Sequence, residues 1–258
     1  MRFVPLCLLT LTLLPLWCAA KDGLPTITCM KIDRDIVLSG KLDDPLWAQA
    51  EVVPLVGAND GKPMRFAATA RMLYNDRYLY VGFTCEDTYI WGTYLKQDDP
   101  LYMEEVVEIF ISPTGLLRNY YEIEVNPLNT FTDSVVLNGR PRDNSRWENF
   151  HNLFAYNMQG LLTRTHVDGE LNKPGAGKSW SVEVAIPFAA LIGPETATPK
   201  PGAKWRMNLF RVDVPEKDQV EFYAWSPIME PNDLHRPWRF GTVVFSEAKA
   251  KIVRHGRE

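Results

Sequence analysis

Apolar residues recur at every second position over much of the chain, the period of a strand with one buried face. The clearest run is residues 78–85, where Leu79, Val81, Phe83 and Cys85 share a face. The turn pair Asn75-Asp76 joins it to the β-rich run 66–74 as a hairpin. The same reading predicts strands over 26–32, 105–112, 119–126, 131–137, 153–158, 161–167, 179–186, 205–213, 220–225 and 241–245. Helical signal is confined to residues 45–50, with Asp44 as N-cap and Pro45 at the first position, and to one turn over 187–191. Many short strands and few helices predict an all-β fold, a jelly-roll-like two-sheet antiparallel β-sandwich with one or two short helices. The Pro-rich stretch 194–202 reads as a loop, because the strand pattern resumes at Trp205, so residues 21–258 are expected to form a single domain.

The N-terminus breaks this pattern. Met1-Arg2, an apolar run to Trp17 and Cys18-Ala19-Ala20 have the layout of a secretory signal peptide, residues 1–20. The run is about 15 residues long, short of the roughly 20 that a spanning helix needs. Trp17 before Cys18 suits a lipoprotein cleavage site poorly. Export to the periplasm or the extracellular space is therefore expected. Removal of Arg2 leaves 27 basic against 32 acidic side chains, so nucleic acid and anionic membrane are not expected partners. With Cys7 and Cys18 in the leader, Cys29 and Cys85 remain, either bridged in an oxidising compartment or buried as two free thiols.

Two strands carry the candidate chemistry. If Val107, Ile109 and Ile111 face the core, Glu108 and Phe110 face the other way. If Tyr121, Ile123 and Val125 face the core, Tyr120, Glu122, Glu124 and Asn126 oppose them, and pairing of the strands brings Glu108 to Glu122 or Glu124. Like charges at that spacing need an offsetting cation, arginine or hydrogen-bond donor. A sugar supplies several hydroxyl donors, and its C–H face packs on an aromatic ring. A solvated acidic face is the plainer alternative. Trp91, Tyr102, Trp147 and Trp238 lie beside loop residues and are the candidate rings, whereas Trp180 and Trp205 are in phase with the core.

Eight short motifs stand in order: Gly-Lys-Leu-Asp-Asp-Pro-Leu-Trp at 40–47, Tyr-Leu-Tyr-Val-Gly at 78–82, Val-Glu-Ile-Phe-Ile at 107–111, Asn-Tyr-Tyr-Glu-Ile-Glu-Val-Asn at 119–126, Trp-Ser-Val-Glu-Val-Ala-Ile-Pro at 180–187, Trp-Arg-Met-Asn at 205–208, Trp-Ser-Pro at 225–227 and Trp-Arg-Phe-Gly at 238–241. Over about residues 36 to 246 the chain resembles the family 9 carbohydrate-binding-module-like domains. The resemblance implies a β-sandwich that binds a saccharide end without transforming it, with calcium as a structural ion. It also implies two aromatic rings clamping the sugar and polar strand residues holding its hydroxyls. Glu108 matches the strand carboxylate, Tyr102 the first clamp ring and Asn126 the polar strand. Glu124 stands where the sugar-binding type looks basic, and Leu234-His235-Arg236-Pro237 brings no ring before Trp238. The expected saccharide site is thus Tyr102, Glu108, Glu124, Asn126, Trp91, Trp238 and His235. Calcium ligands would come from Glu86-Asp87 and Asp98-Asp99.

Two other functions fit some of these residues. A glycoside hydrolase would use Glu108 with Glu122 or Glu124 as its carboxylate pair. A haem-binding sandwich would draw on Met103, Met207 and His235, without the CxxCH motif of covalent attachment.

Overall fold

The structure, a computed structural model, describes residues 23–137, 150–191, 198–216, 219–230 and 233–249. The expected signal peptide and Trp147 lie outside the described residues. Thirteen strands follow in chain order: β1 (Thr26–Lys31), β2 (Val53–Gly57), β3 (Ala68–Tyr74), β4 (Tyr78–Glu86), β5 (Val106–Ser112), β6 (Tyr120–Val125), β7 (Phe131–Leu137), β8 (His151–Leu153), β9 (Leu162–Gly169), β10 (Gly177–Pro187), β11 (Lys204–Glu216), β12 (Gln219–Ala224) and β13 (Gly241–Lys249). Four short 3-10 segments, at Pro45–Gln49, Leu101–Met103, Phe188–Ala190 and Pro237–Arg239, are the helical content among the described residues. Among those residues no helix is long and apolar enough to cross a membrane.

The fold is all-β, but hydrogen bonding does not divide it into two antiparallel sheets. All strands belong to one network that closes a ring, β11-β12-β2-β3-β1-β13 and back to β11. Two long strands make the closure by sharing one edge between two partners. The edge of β11 pairs with β13 over Lys204–Met207 and with β12 from Phe210 onward. The edge of β3 pairs with β2 at Ala68–Ala70 and with β1 at Leu73 and Tyr74. β1 runs parallel to both β3 and β13, against the antiparallel expectation. Two wings extend from the ring: β5-β6-β7-β8 from the other edge of β11, and β4-β10-β9 from the other edge of β3.

One face of each wing enters a shared core. Val107, Ile109, Ile111, Ile123 and Val125 from one wing pack with Val81, Phe83, Val182 and Val184 from the other, together with Met207 and Leu209. Each such side chain contributes roughly 1.5–3 kcal/mol by leaving water. Cys29 and Cys85 are buried free thiols in this core, so the bridge is not formed. Their registers explain why: Cys29 lies beside the Met30–Leu73 pair on one edge of β3, and Cys85 opposes Ala68 on the other. Burial raises both thiols, Cys85 to about 12.

The opposite face of β5, β6 and β11 carries a second apolar cluster that includes Phe110, Tyr120, Val136, Phe210, Val212 and Phe240. This first wing is therefore packed on both faces, and its second face carries the site.

Candidate functional site

The antiparallel register of β5 and β6 sets Glu108 directly opposite Glu124 and Phe110 opposite Glu122. On the next strand, Thr132 opposes Glu124 and Ser134 opposes Glu122. Strand alternation thus presents three glutamates on one face, as the apolar phase of the sequence requires. They line a cavity of about 460 Å³. Val212 and Phe222 form part of its apolar lining, with Phe150, Asn152 and Phe154 around β8 and Asp233, Leu234 and His235 from the loop before the last 3-10 turn. Tyr102 stands at the wall, 54% exposed, and Phe154 is also exposed.

The three carboxylates are not equivalent. Glu122 is well held: Asn152 Nδ2 donates to it at 2.7 Å, the Ser134 hydroxyl at 3.3 Å, and His235 Nε2 lies 3.9 Å away. His235 is fixed by a 2.6 Å hydrogen bond between Nδ1 and the Tyr120 hydroxyl and by stacking on Phe110 at 5.1 Å. If the Tyr120 hydroxyl donates to Nδ1, the Nε2–H is directed at Glu122. Glu108 has no comparable support, and Glu124 meets only the Tyr102 backbone N–H and the Glu122 carboxyl. Glu108 is 2% and Glu124 1% exposed, and Glu124 Oε2 is buried without a hydrogen-bond partner. Burial, then the charge of Glu122, pushes the Glu108 carboxyl well above its ordinary value. Burial, then the charges of Glu108 and Glu122, does the same to Glu124. A buried carboxyl pair with an unpartnered oxygen on Glu124 can accept hydrogen bonds from a ligand that brings several.

Of the residues expected at the site, Tyr102, Glu108, Glu124 and His235 meet in this cavity, while Asn126, Trp91 and Trp238 do not line it. Asn126 falls just past the end of β6, where its side chain accepts from Leu128 N and Thr130 N and donates to Tyr94 O, closing a turn. The Trp91 indole donates to Val214 O at 2.8 Å and stacks on Tyr89. Trp238 lies under the Arg236 guanidinium at 5.4 Å. Phe150, Asn152, Phe154, Phe222 and Asp233 were not anticipated. They come from segments distant in sequence, and nothing local marks them.

The carboxylates that could surround a metal ion are elsewhere: Asp87, Glu105 and Asp213 are buried with oxygens within 4.8 Å of one another. Arg211 Nη2 lies 2.7 Å from Asp87, 3.2 Å from Asp213 and 3.6 Å from Glu105, and the guanidinium stacks on the Tyr223 ring at 5.1 Å. The chain supplies a cation of its own there, one guanidinium among three carboxylates, and Glu105 Oε2 and Asp213 Oδ1 stay buried without a hydrogen-bond partner. In the other expected calcium loop, Asp99 accepts from Lys96 N, closing a turn. The haem residues do not converge either. Met207 is in the main core, Met103 is exposed, and His235 lies on the opposite face of the β5–β11 pair.

A closed all-β scaffold with an open cavity of carboxyls and aromatic edges has the form of a small-molecule receptacle. Residues 58–245 match the model of carbohydrate-binding family 9, and the chain belongs to that family. Domains of this family are non-catalytic, which removes the hydrolase reading of the glutamate pair. Among solved structures, a protein from Bacteroides uniformis assigned to carbohydrate binding is 19% identical with a TM-score of 0.65, over 86% of this chain and 99% of its own. A family 9 module from Caldicellulosiruptor kristjanssonii, solved with cellotriose, is 15% identical with a TM-score of 0.59, over 90% of this chain and 99% of its own. The same description, with glucose bound, gives 15% and 0.59 over 88% and 99%. At these identities the likeness shows the fold alone. No curated protein matches the chain.

Proposed function

We propose that the protein binds saccharides, without transforming them, in the cavity between Tyr102 and the Glu108–Glu124 pair. The observation that carries this reading is the meeting, in one cavity of about 460 Å³, of buried carboxyls, one of them with an unpartnered oxygen, and an exposed aromatic ring. Carboxyls take sugar hydroxyls, and rings take the C–H face of a pyranose. Structural relatives solved with cellotriose and glucose support the same ligand class. The N-terminal leader pattern supports export to the periplasm or beyond, where such a module would serve carbohydrate catabolism.

Calorimetric titration of the purified protein with mono- and oligosaccharides tests the reading. Saturable binding is expected, weakened roughly two- to tenfold by Tyr102→Ala through loss of the ring contact and abolished by Glu108→Ala. Silence across the panel, with the protein folded, would sink it.

A further inference from the structure

Resting on the saccharide reading, we infer that this cavity prefers a sugar bearing a protonated amine over a neutral or acidic one. Its titratable lining is predominantly acidic: Glu108, Glu122, Glu124 and Asp233 contribute carboxyls whose ionised forms a bound cation favours, and His235, beside Glu122, is the one basic side chain among the described residues that line it. Asp233 is 3.2 Å from Arg236 and Glu122 is 3.9 Å from His235, which leaves Glu108 and Glu124 as the unbalanced pair.

The buried side-chain atoms of the cavity without a partner are both acceptors, Glu124 Oε2 and Asn152 Oδ1. The orientation of Asn152 is fixed because its Nδ2 donates to Glu122 Oε2, and the reverse would set oxygen against oxygen. Two orphaned acceptors beside a carboxyl pair call for a group that only donates. A hydroxyl donates once, whereas an ammonium carries three N–H donors and a charge opposite to the lining.

A bare metal ion answers the geometry less well. The close-set carboxylate group among the described residues is Asp87, Glu105 and Asp213, and the cavity glutamates do not form one. Their spread across two strands suits a group carried on a ring that fills the space. Phe150, Phe154 and Tyr102 can cover the apolar side of that ring and face its cationic substituent.

The test is a titration near neutral pH with glucosamine, glucose, N-acetylglucosamine and glucuronate, with ethanolamine as an amine that has no ring. Glucosamine is expected to bind about tenfold or more tightly than glucose. N-acetylation, which keeps the ring and removes the charge, should erase that gain, and glucuronate should be weakest. Glu124→Gln should bring glucosamine down to the level at which the same variant binds glucose, and an unchanged melting curve of the variant separates loss of charge from loss of fold. Glucose binding as well as glucosamine would overturn the charge preference and leave the saccharide reading standing. Ethanolamine binding as well as glucosamine would overturn the proposal by removing the ring from it. Failure of every sugar to bind would overturn both.

Discussion

Glu108 and Glu124 sit opposite each other in an antiparallel pair, a position where like charges destabilise a sheet. Their carboxyls are raised by burial and by neighbouring charge, so the folded state holds protons more tightly than the unfolded chain. A raised carboxyl contributes its full stability below the ordinary glutamate value of 4.5, and that contribution is lost as pH climbs through the raised one. Melting temperature is therefore expected to fall as pH rises from 4.5 into the neutral range. Glu108→Gln, which keeps the shape and removes the ionisation, should flatten that slope and melt higher at neutral pH. Parallel wild-type and variant slopes would show that the pair is not under this strain. The phase of the apolar residues in β5 and β6 made both glutamates legible in the sequence. Asn126 shares that phase but lies one residue past the strand, where turn hydrogen bonding takes its side chain.

Elements are joined by motifs that contribute nothing directly to the cavity. Glu183 on β10 is fully buried and accepts from Ser39 N at 2.7 Å, Gly40 N at 2.6 Å and Trp47 Nε1 at 2.6 Å. The strings at 40–47 and 180–187 are thus two halves of one clasp. Gly82 on β4 completes it, since a Cβ there would lie 2.6 Å from Leu42 Cδ2. Gly40 has φ +84°, and a Cβ on it would lie 2.5 Å from the Thr165 carbonyl carbon. Gly40→Ala should then cost about 1–3 kcal/mol in a denaturant melt, while sugar affinity stays within error. Lost affinity would mean that the clasp also shapes the cavity. Strands whose apolar residues keep period two on the core-facing side, such as β4, β5 and β10, were readable from that period alone. β2 was not, because it is five residues long and Pro54 interrupts its pattern. The strand expected at 153–158 lies instead at His151–Leu153. It pairs with β7 at the outer edge of its wing, where burial gives the sequence little period to follow.

At the scale of the molecule, the ring and the wings differ in how their strands are held. Ring strands are paired on both edges or split between partners, whereas β8 and β9 each end a wing. Amide exchange should accordingly be slowest in β11, β3, β1 and β13 and fastest in β8 and β9. Uniform protection would argue against the ring as the rigid unit. Ring closure itself was not legible, because it rests on pairings between strands far apart in sequence, and local patterning carries no information on such partners.

The seam of the ring joins β1 to β13, an early strand to a late one, in parallel register from Thr26–Thr242 to Cys29–Phe245. On a ribosome or emerging from a translocation channel, the chain delivers β1 more than two hundred residues before the strand that completes it. Throughout that interval one edge of β1 stands open, joined by the Lys204–Met207 edge of β11 once that strand has emerged, and each can pair with any extended segment nearby. The cell must shield those edges, and a nascent chain truncated before Gly241 would be the form most prone to join its neighbours.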